Sequence, residues 1–180
     1  MSEIKTILDL QFKEFISPDV IAKRVHEIAQ SLNEHFAGAE EITVLITLKG
    51  AFIFAADVVR QLNFPIRIEM IRASSYLGGT ISTGVVMTDP LIGDYAGKHI
   101  LIIEDIIDSG RTITELKSML ETANIASCTI VSLFSKPDQH QIDLSTAYIG
   151  FTIPAVFIIG YGLDYQEQGR ELPGIWQCID

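Results

Sequence analysis

The sequence predicts an α/β protein with a mainly parallel, twisted sheet flanked by helices. Short apolar runs recur along it: Ile42 to Leu48, Ile100 to Ile103, Cys128 to Phe134 and Val156 to Ile159. The first of them is rich in β-branched residues, and they are largely apolar rather than alternating, as strands covered on both faces are. Segments of helical character precede and separate them. Strand and helix in alternation give parallel strands joined by right-handed crossovers, with ligands received beyond the carboxyl ends of the strands. The 180 residues hold no repeat or low-complexity tract and are read as a single domain, 1–180.

The elements follow in chain order. Ser17-Pro18-Asp19 opens a helix, with Ser17 as N-cap and Pro18 at the first helical position. Val20, Val25, Ile28, Ala29 and Leu32 carry it to about Phe36. Ile42 to Leu48 is a buried strand ended by Lys49-Gly50, and Ala51 to Leu62 reads as a helix. After Asn63-Phe64-Pro65, the residues Ile66, Ile68, Met70 and Arg72 alternate with Arg67, Glu69 and Ile71, which predicts another strand. Ser74 to Gly84 holds Gly78, Gly79, Gly84, two Thr and three Ser, and has little to bury. That composition predicts a mobile loop spanned by a hairpin, with Val85 to Thr88 as the return strand. Asp94 to Gly97 is a turn, His99 to Glu104 a strand, Ser109-Gly110 a turn and Arg111 to Thr122 a helix. Cys128 to Phe134 and Val156 to Ile159 are two more strands.

Composition narrows the function. Lys and Arg number 13 against 23 Asp and Glu, a formal net charge of −10, with 48% hydrophobic residues. Such a chain is not disordered, and it lacks the general basic field by which nucleic acid is held, so no nucleic-acid partner is expected. No apolar run approaches the ~20 residues of a membrane-spanning helix, so no membrane partner is expected. The first 30 residues lack the apolar core of an export signal. Cys128 and Cys178 are the only cysteines and form no CxxC pair, which fits a reducing, cytoplasmic setting. His26, His35, His99 and His140 show no metal-ligand spacing.

The most informative segment is Ile100-Leu101-Ile102-Ile103-Glu104-Asp105-Ile106-Ile107-Asp108-Ser109-Gly110-Arg111-Thr112. A buried strand runs into two adjacent carboxylates, then a third, then a small-residue turn entering a helix. The turn and helix start gather backbone N–H groups and the hydroxyls of Ser109 and Thr112 into an anion cradle. Gly110 lets the backbone approach a phosphate closely. The carboxylates would repel a phosphate, but they suit ribose hydroxyls or a divalent cation. Together these groups describe a sugar-phosphate site. Asp108 or Ser109 as a plain helix cap would leave Glu104 and Asp105 unexplained. No GxxxxGK[ST] is present, and Gly160-Tyr161-Gly162 lacks the third Gly and the helix of a dinucleotide fingerprint.

This segment closely resembles the signature of the type I phosphoribosyltransferases, which bind phosphoribosyl pyrophosphate. Leu48-Lys49-Gly50-Ala51, Ser74-Ser75-Tyr76, Lys136-Pro137 and Val156 to Tyr165 narrow the resemblance to the hypoxanthine-guanine members, over about residues 10–175. It implies the type I fold, with a small hood from the terminal segments and a mobile hairpin loop over the site. It further implies transfer of a 5-phosphoribosyl group to N9 of a 6-oxopurine, giving a purine nucleoside monophosphate and pyrophosphate with Mg2+ as cofactor. The resemblance places Glu104 and Asp105 at the ribose and magnesium, Asp108 near purine N7 as the catalytic group, and Asp108, Ser109, Gly110, Arg111 and Thr112 around the 5-phosphate. Lys136 would donate to the 6-oxo group, Phe157 would stack on the base and Ile158 would address it through its backbone. Asp164 would be a second-side magnesium ligand and Arg170 a pyrophosphate contact. Lys49 and Gly50 would receive pyrophosphate, often with a non-proline cis peptide before the Lys, and Ser75 and Tyr76 would sit at the tip of the closing loop. Read alone, Phe157 is a core residue, Lys136 a solvated lysine and Asp164 a turn residue, so these roles rest on the resemblance. Ala155-Val156 departs from the Asp-Lys of many members and removes a charge pair beside the base, whereas Ser109 keeps the hydroxyl of the more common Thr. A homodimer or homotetramer is expected from the family. A xanthine-preferring transferase and a non-enzymatic, nucleotide-sensing RNA-binding relative are the alternatives, and intact Lys136 and the acidic charge weigh against the second.

Overall fold

The computed structural model describes residues 3–75, 85–87, 93–140 and 142–179. Five parallel strands form its centre: β3 (Ile42–Leu48), β4 (Ile66–Ser75), β6 (His99–Ile107), β7 (Ser127–Ser135) and β8 (Tyr148–Thr152). An antiparallel edge strand, β5 (Val85–Met87), completes the order β5-β4-β3-β6-β7-β8. The apolar runs of β3, β6 and β7 are buried because helices cover both faces. Helices α1 (Pro18–His35) and α2 (Phe52–Val59) pack on Val44, Ile46, Leu101 and Ile103. On the other face α3 (Arg111–Thr122) lays Ile113, Leu116 and Leu120 against Leu45, Ile100 and Ile102. Strands β3, β6 and β7 thus serve two cores with alternate residues.

The terminal segments build a second sheet, as the hood predicts. Its order is β1-β2-β10-β9, from β1 (Ile4–Ile7), β2 (Leu10–Ile16), β9 (Ile158–Ile159) and β10 (Ile175–Cys178). Phe12, Ile159 and Trp176 form its own small core. Val156 to Ile159 therefore supplies no strand of the parallel sheet: only its last two residues pair, antiparallel to β10. An apolar run of four reads the same in either sheet, and only long-range pairing decides between them. The parallel strand in its place is β8, which is half-buried and so carries a weaker apolar signature.

Other boundaries shift for local reasons. Strand β6 runs on to Ile107 rather than ending at Glu104, so Asp105 also lies within the strand. Helix α2 is confined to Phe52–Val59, shorter than the expected 51–62. In α1 the buried stripe is Ile21, Val25, Ile28, Ala29 and Leu32, while Val20 is exposed. Ser17 is the N-cap residue with Pro18 just inside, but the serine side chain makes no capping bond. The hairpin expected across 74–84 is seen at its base, where Ala73 to Ser75 pair with Val85 to Met87. Its tip lies outside the described residues. Among the described residues no helix is long and apolar enough to cross a membrane.

The topology itself selects a site. From β3 the chain passes through α2 to β4 on one side, and from β6 through α3 to β7 on the other. The strand order reverses between β3 and β6, and the crevice at their carboxyl ends is where open α/β sheets receive ligands.

Candidate active site

A cleft of about 350 Å³ opens at that switch point. The end of β3 contributes Thr47, Leu48, Lys49 and Gly50, and β6 contributes Glu104 and Asp105. Thr112, Asp164 and Arg170 close the remaining sides. The Thr47 hydroxyl donates to the Ile103 carbonyl at 3.0 Å and so ties the two strand ends together. The Leu48–Lys49 peptide is cis, as the family resemblance implies. Gly50 is required here, because a Cβ would overlap the Asp105 carboxylate. Gly162, at φ +104°, lies with its Cα against the Gly50 carbonyl, where no side chain fits. The phosphate-loop candidate, the strand-end acid and the 160–162 turn therefore interlock without spare room.

Glu104 is 6% exposed. One carboxylate oxygen accepts the Asp105 N–H at 3.2 Å, and the other is buried with no hydrogen-bond partner. Burial first, and then the neighbouring Asp105 carboxyl, push the Glu104 pKa well above the ordinary glutamate value. A buried, half-satisfied carboxyl is costly, and it gains when a hydroxyl or cation meets its idle oxygen.

Beyond β6 the chain turns at Asp108-Ser109-Gly110 into α3. Gly110 has φ +73°, and a Cβ there would stand 2.8 Å from the Ile142 side chain, so residue type and conformation are both forced. Its position as N-cap aims the first N–H groups of α3 toward the turn, with no side chain of the N-cap in the way. Asp108 is half exposed and accepts a bond from Lys136 Nζ at 3.0 Å. Lys136 follows β7, the parallel neighbour of β6, and its side chain is only 11% exposed. Its backbone N–H donates to the Ile107 carbonyl at 2.9 Å, which fixes the pair's geometry from below. The solvated lysine that the residue alone suggests is thus replaced by a largely buried ammonium aimed at a carboxylate.

Phe157 is 45% exposed, touching Phe12 at 6.1 Å between ring centroids and Tyr165 edge-on at 5.7 Å. It is therefore a supported aromatic platform with an open side rather than a core residue. The Cys178 N–H donates to the Phe157 carbonyl at 2.9 Å. By antiparallel alternation, the N–H and C=O of the next residue, Ile158, point away from β10. Tyr165 donates to Asp9 at 2.8 Å, linking the platform to the β1–β2 turn.

Asp164 accepts the Glu167 N–H at 2.7 Å and pairs with Arg170 at 2.8 Å. Arg170 also donates to the Gly162 carbonyl at 2.8 Å. Glu167, which the sequence did not single out, pairs with both Lys49 (3.0 Å) and Arg170 (3.2 Å), and the two cations hold its carboxyl below the usual range. No local sequence signal distinguishes it, since its partner Lys49 lies 118 residues away.

The structure thus gathers Lys49, Gly50, Glu104, Asp105, Thr112, Asp164 and Arg170 in one cleft. Asp108, Ser109, Gly110 and Arg111 follow β6 outside that lining, Lys136 stands beside Asp108, Ile158 belongs to the small sheet and Phe157 immediately precedes it. Ser75 ends β4 in register with Val85, and Tyr76 lies outside the described residues. Among the described residues no three His, Cys, Asp or Glu side chains converge as a metal cage. The cleft does offer hard oxygen donors, including the idle Glu104 oxygen, and that set fits magnesium, which takes one or two carboxylates plus substrate oxygens.

Residues 17–166 match the phosphoribosyl transferase domain family. The chain is 38% identical over 167 residues to a hypoxanthine phosphoribosyltransferase of Haemophilus influenzae, covering 91% of this chain and 93% of that protein. It is also 38% identical over 164 residues to a hypoxanthine-guanine phosphoribosyltransferase of Streptococcus pneumoniae, covering 91% of each. Among solved structures it is similar to a hypoxanthine-guanine phosphoribosyltransferase of Bacillus anthracis, with a TM-score of 0.84 and 38% identity over 97% of this chain and 99% of that one.

Proposed function

The chain belongs to the phosphoribosyl transferase domain family, and from that premise we propose that it is a purine-salvage enzyme. It transfers the 5-phosphoribosyl group of phosphoribosyl pyrophosphate to N9 of hypoxanthine, and of guanine, yielding IMP or GMP and pyrophosphate. The observation that carries this reading is the juxtaposition at one switch point of a buried, half-satisfied Glu104 beside Asp105, the open start of α3, and the Lys136–Asp108 pair.

In this reading the ribose hydroxyls meet Glu104 and Asp105, whose hydrogen-bond acceptors suit them. The 5-phosphate sits on the N–H groups and hydroxyls of Asp108 to Thr112. Pyrophosphate faces Lys49, Gly50 and Arg170. Glu104 and Asp105 on the ribose side and Asp164 on the pyrophosphate side are the residues that would hold magnesium, which when bound would supply charge neutralisation for the departing pyrophosphate. As the C1–pyrophosphate bond lengthens, positive charge grows on the sugar. The paired carboxylates of β6 are placed to stabilise it electrostatically.

The purine lies on the open side of Phe157, with the outward-facing backbone of Ile158 along its edge. Lys136 has donors only, and one N–H engages Asp108 while the others remain for a 6-oxo group. A 6-amino group offers it no acceptor there. Asp108 receives the proton that the base gives up as N9 forms its bond to the sugar. The whole of 1–180 acts as one cytoplasmic catalytic domain. Exposed Ile68 and Met70 on β4 supply apolar surface for a homodimer or homotetramer.

The test is pyrophosphate release with magnesium, donor and each of hypoxanthine, guanine, xanthine and adenine. A charge-assisted hydrogen bond of about 1.5–3 kcal/mol predicts adenine disfavoured about 10- to 150-fold in kcat/KM. No release with either hypoxanthine or guanine overturns the reading.

A further inference from the structure

The cleft is lined by two cations, Lys49 and Arg170, and both are engaged by one oxygen of Glu167. The two cations are the groups that pyrophosphate faces in the function proposed above, on which this inference rests. We infer that Glu167 is a built-in stand-in anion, which occupies the pyrophosphate cations in the empty enzyme and competes with pyrophosphate for them.

The two carboxylates of this corner differ in how firmly they are held. Asp164 is 28% exposed, holds Arg170 at 2.8 Å and is pinned by the Glu167 N–H. Glu167 is 64% exposed and pairs with Lys49, itself 60% exposed, at the surface. Exposed ion pairs are weak and screened, so Asp164 is the firmer partner of Arg170 and Glu167 the exchangeable one. The backbone aims it: Gln166 and Glu167 sit at φ +49° and +67°, inside a turn closed by reciprocal bonds between Tyr165 and Gln168 at 2.9 and 3.0 Å. That turn hangs from Asp164 and points the side chain back over the 48–50 loop.

A diphosphate carries several negative charges and displaces a single carboxylate. When it leaves, Glu167 returns, so Lys49 regains its counter-charge and Arg170 its second partner. The carboxylate therefore raises the dissociation constant of pyrophosphate and speeds its exit, a step that can limit turnover.

The experiment is titration of inorganic pyrophosphate with magnesium into the full-length protein and into Glu167→Gln, by calorimetry at fixed ionic strength. The variant is expected to bind pyrophosphate about three- to tenfold more tightly, as loss of two exposed competing pairs implies, and to release it more slowly in a displacement assay. Mere damage to the turn would weaken binding, so the sign separates the two. Glu171→Gln removes the same charge at an exposed position lining a different hollow, and its affinity is expected to stay within about twofold of the parent. Glu167→Gln binding no more tightly than the parent overturns the inference, as does an equal gain in Glu171→Gln. If neither the parent nor Glu167→Gln binds pyrophosphate, the proposed function of the cleft falls with it.

Discussion

Glu104→Gln separates the cost of the site from its use. Glu104 is buried, one of its oxygens has no partner, and its pKa is raised by burial and by Asp105. Between the unfolded glutamate value and this raised value, the folded chain keeps a proton that the unfolded chain has released. Stability therefore falls as pH rises through that window, and the penalty disappears below the unfolded value. Glutamine has the shape of the protonated acid: its oxygen can still accept the Asp105 N–H, and its amide can donate toward the Asp105 carboxylate. Relieving a buried, unsatisfied charged group is worth about 1–3 kcal/mol. For a chain of this size that corresponds to a Tm increase of about 2–10 °C. The assay is thermal unfolding of parent and variant, with chelator present, from pH 4 to pH 9. The gain is expected near pH 8 and should vanish near pH 4, while the variant loses most of its transferase activity. A variant no more stable than the parent at pH 8, or an advantage that grows as pH falls, would refute the reasoning.

Asp108→Asn leaves Lys136 with a neutral partner at the same place, and is expected to fold normally and bind the donor while kcat falls about 10²- to 10⁴-fold; steady-state kinetics decide, and near-normal turnover removes Asp108 from the chemistry. Phe157→Leu removes a half-exposed ring, so KM for hypoxanthine should rise about five- to 100-fold, from about 1–3 kcal/mol of stacking, with KM for the donor and Tm little changed. Gly162→Ala drives a methyl into the Gly50 carbonyl at φ +104°; it is expected to cost about 2–4 kcal/mol, measured by denaturant unfolding, and to impair donor binding through the displaced 49–50 loop.

Strands β3, β6 and β7, the 99–112 motif and the turn at Gly110 were legible because each is local: these buried strands are largely apolar runs, and the motif lies within 13 residues, whereas the half-buried β8 gave no such run and was missed. The sequence alone therefore determined the α/β class, the sugar-phosphate character of the site and the family resemblance. Tertiary structure decided which sheet Val156 to Ile159 joins, since Ile159 and Ile158 pair with Trp176 and Gln177, well outside the run itself. It also decided that Lys136 is buried against Asp108, that Gly162 is moulded to Gly50, and that Glu167 closes over Lys49. Each joins residues from 28 to 118 positions apart in sequence. Composition and periodicity register only neighbours along the chain, whereas the charge balance of this cleft is set by side chains that the fold alone makes neighbours.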